Sequence, residues 1–304
     1  MTTGSPQSIT LDYLRSLLNQ GVDQIPVTDE ARVILRKWFI EARQKKSPAP
    51  ATATSTEASE LESNLRTLKE LRYIKTEVEQ TPPLVPSNVS FTLDGQTRSE
   101  KLRSLRDLVK NWPPIRELNS LRDKLVFAGG GLRSGIVFIT EAPGIYEEKQ
   151  EKPLVGPAGE KLDAMLKAMG LSRNDVYITN LIKYRPALPN QLSNNRPPTP
   201  QEVSVFLPIL REELQIIQPK IIVALGANVA RHLLQSGDTP LSALRGQFHT
   251  VFNTPVRVTY HPSYLLRTDD VREKRKIWED MLAVMEKAGL PISGKQRSYF
   301  IPKQ

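Results

Sequence analysis

The sequence of 304 residues contains no cysteine, which excludes disulfides, thiolate metal sites and a cysteine nucleophile. It has no apolar run long enough to span a bilayer and no apolar signal region after Met1, so we expect a cytoplasmic protein without a membrane partner. A phosphate-binding glycine signature is also missing. The run "AGGG" at Ala128 precedes a strand-like stretch instead of following one, so it does not predict a dinucleotide site.

Basic residues are in excess. Lys and Arg number 42 against 33 Asp and Glu, which gives a formal net charge of +9. Such an excess favours a polyanionic partner such as nucleic acid. A solvated basic surface would give the same count, so charge alone does not decide between the two.

Changes of composition divide the chain into five segments. Two short amphipathic patterns predict a small helical segment over residues 1–46, and the Pro-, Ala- and Thr-rich stretch 47–60 predicts a flexible linker. Residues 61–99 predict a helix followed by an extended connector, 100–290 the main domain, and 291–304 a C-terminal tail. The first segment is either a small appendage or a docking module for a protein partner.

The main domain alternates strand-like and helical stretches. The apolar runs "GIVFIT", "DVYITNLI", "IIVALG" and "VRVTYH" are each followed by a polar or Gly/Pro-rich loop and a helical pattern. This alternation predicts a parallel sheet that is covered on both faces. In such folds the loops after the strands gather at one edge of the sheet and form the site.

Four segments that are expected at this edge carry groups that suit a ligand. "TEAPG" is a turn that can point backbone N–H groups into a cleft, and "KPLVGPAG" ends at a helix start, where free N–H groups favour an anion. The amide of Asn180 in "ITN" can donate and accept at once, and so can read a base edge. In "HPSYLLR", His261 can donate to a developing oxyanion, and a leucine pair before an arginine can wedge into a base stack.

These pieces, in this order and spacing, resemble the uracil-DNA glycosylase superfamily, and most closely its family-4 type. The resemblance extends from about Leu105 to Ala288 and rests on the following motifs: "EAPG", "PLVGPAG", "ITNLIKYRP", "NRPPTPQE", "ALG", "RG" and "HPSYLLR". Each motif alone is weak, and only the ordered set is specific. The resemblance implies a three-layer α/β/α sandwich with a four-stranded parallel sheet, and hydrolysis of the N-glycosidic bond of a uracil, or a related deaminated base, flipped out of DNA.

The resemblance also implies roles for residues of the site. The backbone amides of Glu141 and Ala142 and the side chain of His261 would surround the base O2, while Asn180 would read the N3 and O4 edge. Glu141, Asn180 and His261 are the expected catalytic residues, and Leu154 is expected to cover the base. How water is activated is left open, with Glu141 as one candidate. The expected contacts to single- or double-stranded DNA are Gly156, Ser263, Leu265, Leu266 and Arg267.

The sequence departs from the family pattern at two places. The cysteines that hold the family-4 iron–sulfur cluster align with Val109, Trp112, Tyr184 and Phe206, so we expect no cofactor and no metal, and a packed apolar plug in place of the cluster. At the site, the pattern's stacking phenylalanine is Leu154 and its first glycine is Thr140. Loss of aromatic stacking costs about 1–3 kcal/mol per base.

Two functions therefore remain open. The first is a monomeric glycosylase that acts on uracil, hypoxanthine or xanthine. The second is a catalytically weak or inactive relative that binds DNA or a protein partner on the same scaffold. Leu154 and Thr140 favour the second, whereas Asn180 and His261 favour the first, because polar site residues have little structural reason to be kept. His232 and His249 are expected to be structural or surface residues.

Overall fold

The computed structural model describes residues 89–301. The segments expected at 1–46 and 47–60, and most of 61–99, lie outside these residues. Within them the helices are α1 (Arg98–Asn111), α2 (Pro113–Glu117), α3 (Ile145–Gln150), α4 (Gly156–Met169), α5 (Pro200–Ile217), α6 (Ala227–Leu234), α7 (Leu241–Leu244), α8 (Val271–Ala288) and α9 (Gly294–Arg297). Short 3₁₀ helices lie at Arg173–Asp175 and Pro262–Leu266.

The strands form one large and one small sheet. They are β1 (Leu121–Leu125), β2 (Ala128–Gly130), β3 (Ile136–Thr140), β4 (Tyr177–Asn180), β5 (Tyr184–Pro186), β6 (Ile221–Leu225), β7 (Phe248–Val251) and β8 (Thr254–Thr259). The large sheet has the order β2-β4-β3-β6-β8-β7, and β1 pairs with β5. The four inner strands β4, β3, β6 and β8 are mutually parallel, while β2 and β7 are antiparallel edges.

Both faces of the sheet are covered, as the apolar strands require. Successive residues of β3 point to opposite faces, so Val137 and Ile139 join one core cluster while Ile136 and Phe138 join the other. The first cluster draws on α1, α5 and α6, and the second on α4 and α8. The predicted α/β/α sandwich and its four parallel strands are thus confirmed, and the antiparallel edge strands are an addition that the sequence analysis did not foresee.

Helix ends follow local sequence signals. Thr199 and Glu202 form a capping box at the start of α5, and Asp270 caps α8, which ends at Gly289 in a left-handed conformation. Near the C-terminus, the Tyr299 ring packs on the Trp278 ring of α8 with centroids 5.3 Å apart. No helix within residues 89–301 is long and apolar enough to cross a membrane.

The chain order brings four loops to one edge. Because β4, β3, β6 and β8 are parallel, their carboxyl ends meet at the same side of the sheet. Thr140 ends β3 opposite Asn180 at the end of β4, and Leu225 ends β6 opposite Thr259 of β8. His261 follows two residues after Thr259.

Candidate active site

A cavity of about 660 Å³ opens at this edge. Seven of the residues expected at the site line it: Glu141, Ala142, Leu154, His261, Ser263, Leu266 and Arg267. Thr140 also lines it. Three expected residues, Asn180, Gly156 and Leu265, are not among its lining residues.

His261 is held in one orientation by the turn that follows it. The backbone N–H of Ser263 donates to the ring Nδ1 at 3.2 Å, and the Ser263 hydroxyl lies 2.8 Å from the same nitrogen. Since a backbone N–H can only donate, Nδ1 is an acceptor and the proton of the neutral ring is on Nε2. Burial, with a smaller contribution from Arg267, lowers the pKa of His261 to about 4. The ring is therefore neutral at pH 7 and has one N–H to offer.

That N–H is already engaged. His261 Nε2 lies 3.0 Å from the hydroxyl oxygen of Thr140, the residue that stands in place of the pattern's first glycine. Thr140 is 4% exposed, so this contact is shielded from solvent. The histidine expected to meet the base directly is thus hydrogen-bonded to a side chain that the family pattern lacks.

Two further donors come from the loop after β3. The backbone N–H groups of Glu141 and Ala142 donate in none of the loop and turn hydrogen bonds found within residues 89–301. The Glu141 carboxylate accepts from the Asn228 side chain at 2.7 Å, yet burial dominates and raises the pKa of Glu141. Asn228 lies in the first turn of α6 and lines the cavity, although the sequence analysis did not single it out.

Glu147 connects the two loops that form the cavity wall. One of its carboxylate oxygens accepts from the Gly144 N–H at 3.0 Å, and the other accepts from the Val155 N–H, also at 3.0 Å. The turn after β3 and the segment before α4 are therefore tied through a single side chain. This residue was missed as well, because the motif identifies the loops and not the contacts between them.

Leu154 lies in an unusual backbone position. Its φ is 50°, in the left-handed region, and it is 2% exposed within the core cluster beside α4. The Arg173 guanidinium donates to its carbonyl oxygen at 2.6 Å and holds this conformation. Leu154 is thus a fixed apolar part of the cavity wall.

Gly156 has a packing role. Its φ is 63°, and a Cβ there would lie 2.7 Å from the Tyr146 ring. Tyr146 is half-exposed and lines the cavity, so it provides an aromatic surface that the sequence analysis did not consider.

Asn180 is fully buried at the end of β4. Its side-chain N–H donates to the Val126 carbonyl at 3.4 Å, while its Oδ1 has no donor within the part of the chain that the structure describes. Leaving such an acceptor unsatisfied costs about 1–3 kcal/mol. The Oδ1 atom of Asn180 is thus a hydrogen-bond acceptor near the cavity that lacks a donor within the described residues.

The loop after His261 separates the two leucines. Leu265 packs against the core cluster beside α4, whereas Leu266 is 48% exposed at the cavity. The stacked rings of Tyr260 and Tyr264, with centroids 4.5 Å apart, support the loop. Arg267 is exposed and forms no salt bridge within residues 89–301.

The positions aligned with the family's cluster ligands do not fit an iron–sulfur cluster. Val109 and Phe206 are fully buried, Tyr184 is 7% exposed, and Trp112 packs against the same core cluster. The rings of Tyr184 and Phe206 have centroids 6.2 Å apart. None of the four side chains offers the thiolate that holds an iron–sulfur cluster, and together they form part of a continuous apolar core. Among the described residues, no group of His, Asp and Glu could hold another metal ion either.

The sequence was compared with family models and with known proteins. The sequence model described as "Uracil DNA glycosylase superfamily" matches residues 127–282. A type-4 uracil-DNA glycosylase from Thermotoga maritima is 36% identical over 186 residues, which is 61% of this chain and 93% of the relative. This chain belongs to the uracil-DNA glycosylase superfamily.

Other members of the superfamily match as well. A type-4 enzyme from Archaeoglobus fulgidus is 36% identical over 182 residues, covering 57% of this chain and 88% of the relative. A type-5 uracil-DNA glycosylase from Pyrobaculum aerophilum is 33% identical over 129 residues, covering 40% and 52% of the two chains. The family-4 resemblance expected from the motifs is confirmed, although this chain has no cysteine.

Proposed function

We propose that this protein is a DNA glycosylase that hydrolyses the N-glycosidic bond of uracil in base excision repair. Its relatives are named uracil-DNA glycosylases, and its cavity is lined by Glu141 and His261, two of the residues that the motifs single out. The target nucleotide is flipped out of the stack, because the glycosidic bond is not accessible inside a duplex.

The observation that carries the proposal is the set of donors at one wall of the cavity. The neutral His261 ring with its Thr140 partner, and the N–H groups of Glu141 and Ala142, belong to residues that line the same cavity. Bond cleavage sends an electron pair to the base, so negative charge develops on the base oxygens. Preorganised donors in a site shielded from water stabilise that charge without reorganisation.

Leu154 lines the proposed base site, and Asn180 is the register partner of the cavity residue Thr140 at the ends of β4 and β3. The unsatisfied Oδ1 of Asn180 supports a role in reading the base, because the N3–H of uracil would supply the missing donor. Leu154 covers the base, and Tyr146 supplies an aromatic surface at the same cavity.

The loop after His261 would contact the phosphate backbone and the base stack of the DNA. Arg267 is exposed and positively charged, which suits a phosphate, and Leu266 is the exposed leucine that suits the wedge. The packed position of Leu265 supports a structural role for it instead. Ser263 orients His261, and Gly156 keeps the Tyr146 ring close to the backbone at the start of α4.

Single-turnover cleavage tests the proposal. Oligonucleotides with one uracil, hypoxanthine or xanthine, each as a single strand and as a duplex, are incubated with excess protein, and abasic sites are revealed by alkali. We expect release of uracil, and a thymine oligonucleotide is the control. DNA binding without release of any base would support the inactive relative, for which the loss of the pattern's phenylalanine at Leu154 is the observation in favour.

A further inference from the structure

In the wall of the cavity formed by Thr140 and His261, this chain has a threonine side chain, with its hydroxyl group, where the family pattern has a glycine. A glycine at position 140 would leave the Nε2–H of His261 free to meet the base. Here the hydroxyl oxygen of Thr140 lies 3.0 Å from Nε2. Both residues line the cavity.

The direction of this hydrogen bond follows from the other side of the ring. The backbone N–H of Ser263 donates to Nδ1, so the single ring proton is on Nε2, and Nε2 donates to Thr140. The hydroxyl of Thr140 therefore keeps its own hydrogen to donate. Within residues 89–301 no acceptor for that hydrogen is found.

We propose that the Thr140 hydroxyl is the catalytic donor to the base oxygen, and that His261 is a positioning residue that acts through it. The chain of hydrogen bonds runs from His261 Nε2–H to Thr140 Oγ1, and from the Thr140 O–H to the base. A hydroxyl that accepts a hydrogen bond becomes a better donor, because the two bonds polarise one another. This assignment rests on the proposed glycosylase function.

The step is hydrolysis, and the donor does not lose its proton. The bond between the base nitrogen and the sugar C1′ breaks, and its electron pair leaves with the base. The oxygen of a water molecule bonds to C1′, and a proton from that water neutralises the released base. Thr140 only stabilises the charge on the base oxygen while it exists.

Three substitutions at one position test the donor. Thr140→Val keeps the shape and removes the hydroxyl, Thr140→Ser keeps the hydroxyl, and Thr140→Gly restores the family residue. With single-turnover cleavage of a uracil-containing single strand, we expect Thr140→Val to lose about 10²- to 10³-fold in rate, as for removal of an oxyanion donor. Thr140→Ser should stay within several-fold of the wild type. Circular dichroism melting and DNA affinity show whether each variant is folded and binds.

Double variants test the role of His261. If it acts through Thr140, His261→Ala should add little to the loss caused by Thr140→Val. In the Thr140→Gly background the imidazole faces the base directly, so there His261→Ala should cost about 10²- to 10³-fold. A merely structural histidine would cost the same in both backgrounds, and that result would overturn the inference.

Two further outcomes overturn it. Thr140→Val that cleaves as fast as the wild type would show that the hydroxyl donates nothing. Thr140→Gly that cleaves faster than the wild type would show that Thr140 obstructs the base. In both cases the glycosylase function stands, because uracil is released. A wild type that releases no base from any substrate overturns the function and this inference together.

Discussion

Tyr184 and Phe206 stand where the family pattern has cluster cysteines, and Thr140 and Leu154 stand where it has a glycine and a stacking phenylalanine. The first pair lies in the core cluster beside α1 and α5, with the Phe206 side chain fully buried. The second pair lines the cavity. Both regions differ from the family pattern in residue type, but the first pair contributes to packing of the core and the second pair to the chemistry of the cavity.

We call Val109, Trp112, Tyr184 and Phe206 the apolar plug, because their side chains occupy the positions where the family pattern has the cysteines of a cluster. These residues join one hydrophobic cluster, and none of them makes a hydrogen bond with its side chain among residues 89–301. Replacement by packed apolar groups of suitable size preserves a fold, since cores tolerate such exchange when volume is kept. The apolar plug is therefore expected to contribute to the free energy of unfolding.

In the cavity, a hydroxyl and a leucine change the chemistry instead. Thr140 accepts the hydrogen bond of His261, and Leu154 presents an aliphatic surface where the pattern has a ring. Leu154 is also part of the core cluster beside α4, so a substitution there affects packing as well. The comparison therefore predicts that substitutions in the plug change the free energy of unfolding, whereas those in the cavity change the rate.

Phe206→Ala is expected to have the largest effect on stability. Removing a fully buried phenylalanine side chain costs about 3–5 kcal/mol, from lost burial and the cavity that remains. Urea unfolding measures the loss, and Phe206→Leu, which keeps most of the volume, is the matched control. Cleavage per folded molecule should not change. A loss under 1 kcal/mol would show that the plug is not a structural replacement.

Leu154→Phe tests the cavity side of the comparison. If the aromatic ring stacks on the base in the transition state, about 1–3 kcal/mol raises the rate roughly 5- to 150-fold. Because Leu154 is 2% exposed, the larger ring should cost about 1–3 kcal/mol of stability by overpacking, so the rate is compared per folded molecule. Leu154→Met is the control, since it is flexible and apolar without a ring. Equal rates for both variants would remove stacking as the limiting factor.

Arg267→Ala is expected to act on binding alone. Loss of one phosphate contact should weaken affinity for all sequences alike and lower the salt slope on single strands by about 0.7. Arg297→Ala is the matched control, because that guanidinium is 58% exposed and pairs with Glu286 at 3.0 Å. Fluorescence anisotropy between low and moderate salt gives both slopes. An unchanged slope for Arg267→Ala would place this loop away from the DNA.

Much of the fold could be predicted from the sequence, because the strong signals coincide with the core. β3 and β6 are buried at every position and stand out as apolar runs between loops. β1 was missed because only Leu125 of its five residues is buried, and β2 because "AGG" has little strand propensity. Edge strands depend on their neighbours more than on their own sequence.

The site likewise has a part that could be predicted from the sequence and a part that could not. The motif identifies Glu141 and His261, because their chemistry is carried by the residues themselves. The contacts of Asn228 with Glu141 and of Thr140 with His261 join positions 87 and 121 residues apart. Such pairs depend on how the strands are ordered in the sheet, which no local pattern specifies. The role of Thr140 became visible only with the direction of its hydrogen bond.

The smallest effect is expected for Tyr184→Phe, which we compare with Thr140→Val. Tyr184→Phe removes a hydroxyl from the plug, and Thr140→Val removes one from the cavity. The Tyr184 hydroxyl makes no hydrogen bond within residues 89–301, so its loss should change the unfolding free energy by less than about 0.5 kcal/mol and leave cleavage unchanged. The Thr140 hydroxyl has His261 behind it and the cavity in front, so its loss should remove most of the rate. Urea unfolding and single-turnover cleavage of both variants give the four values. A slow Tyr184→Phe would mean that the plug reaches the chemistry, and the separation of the two regions would then be wrong.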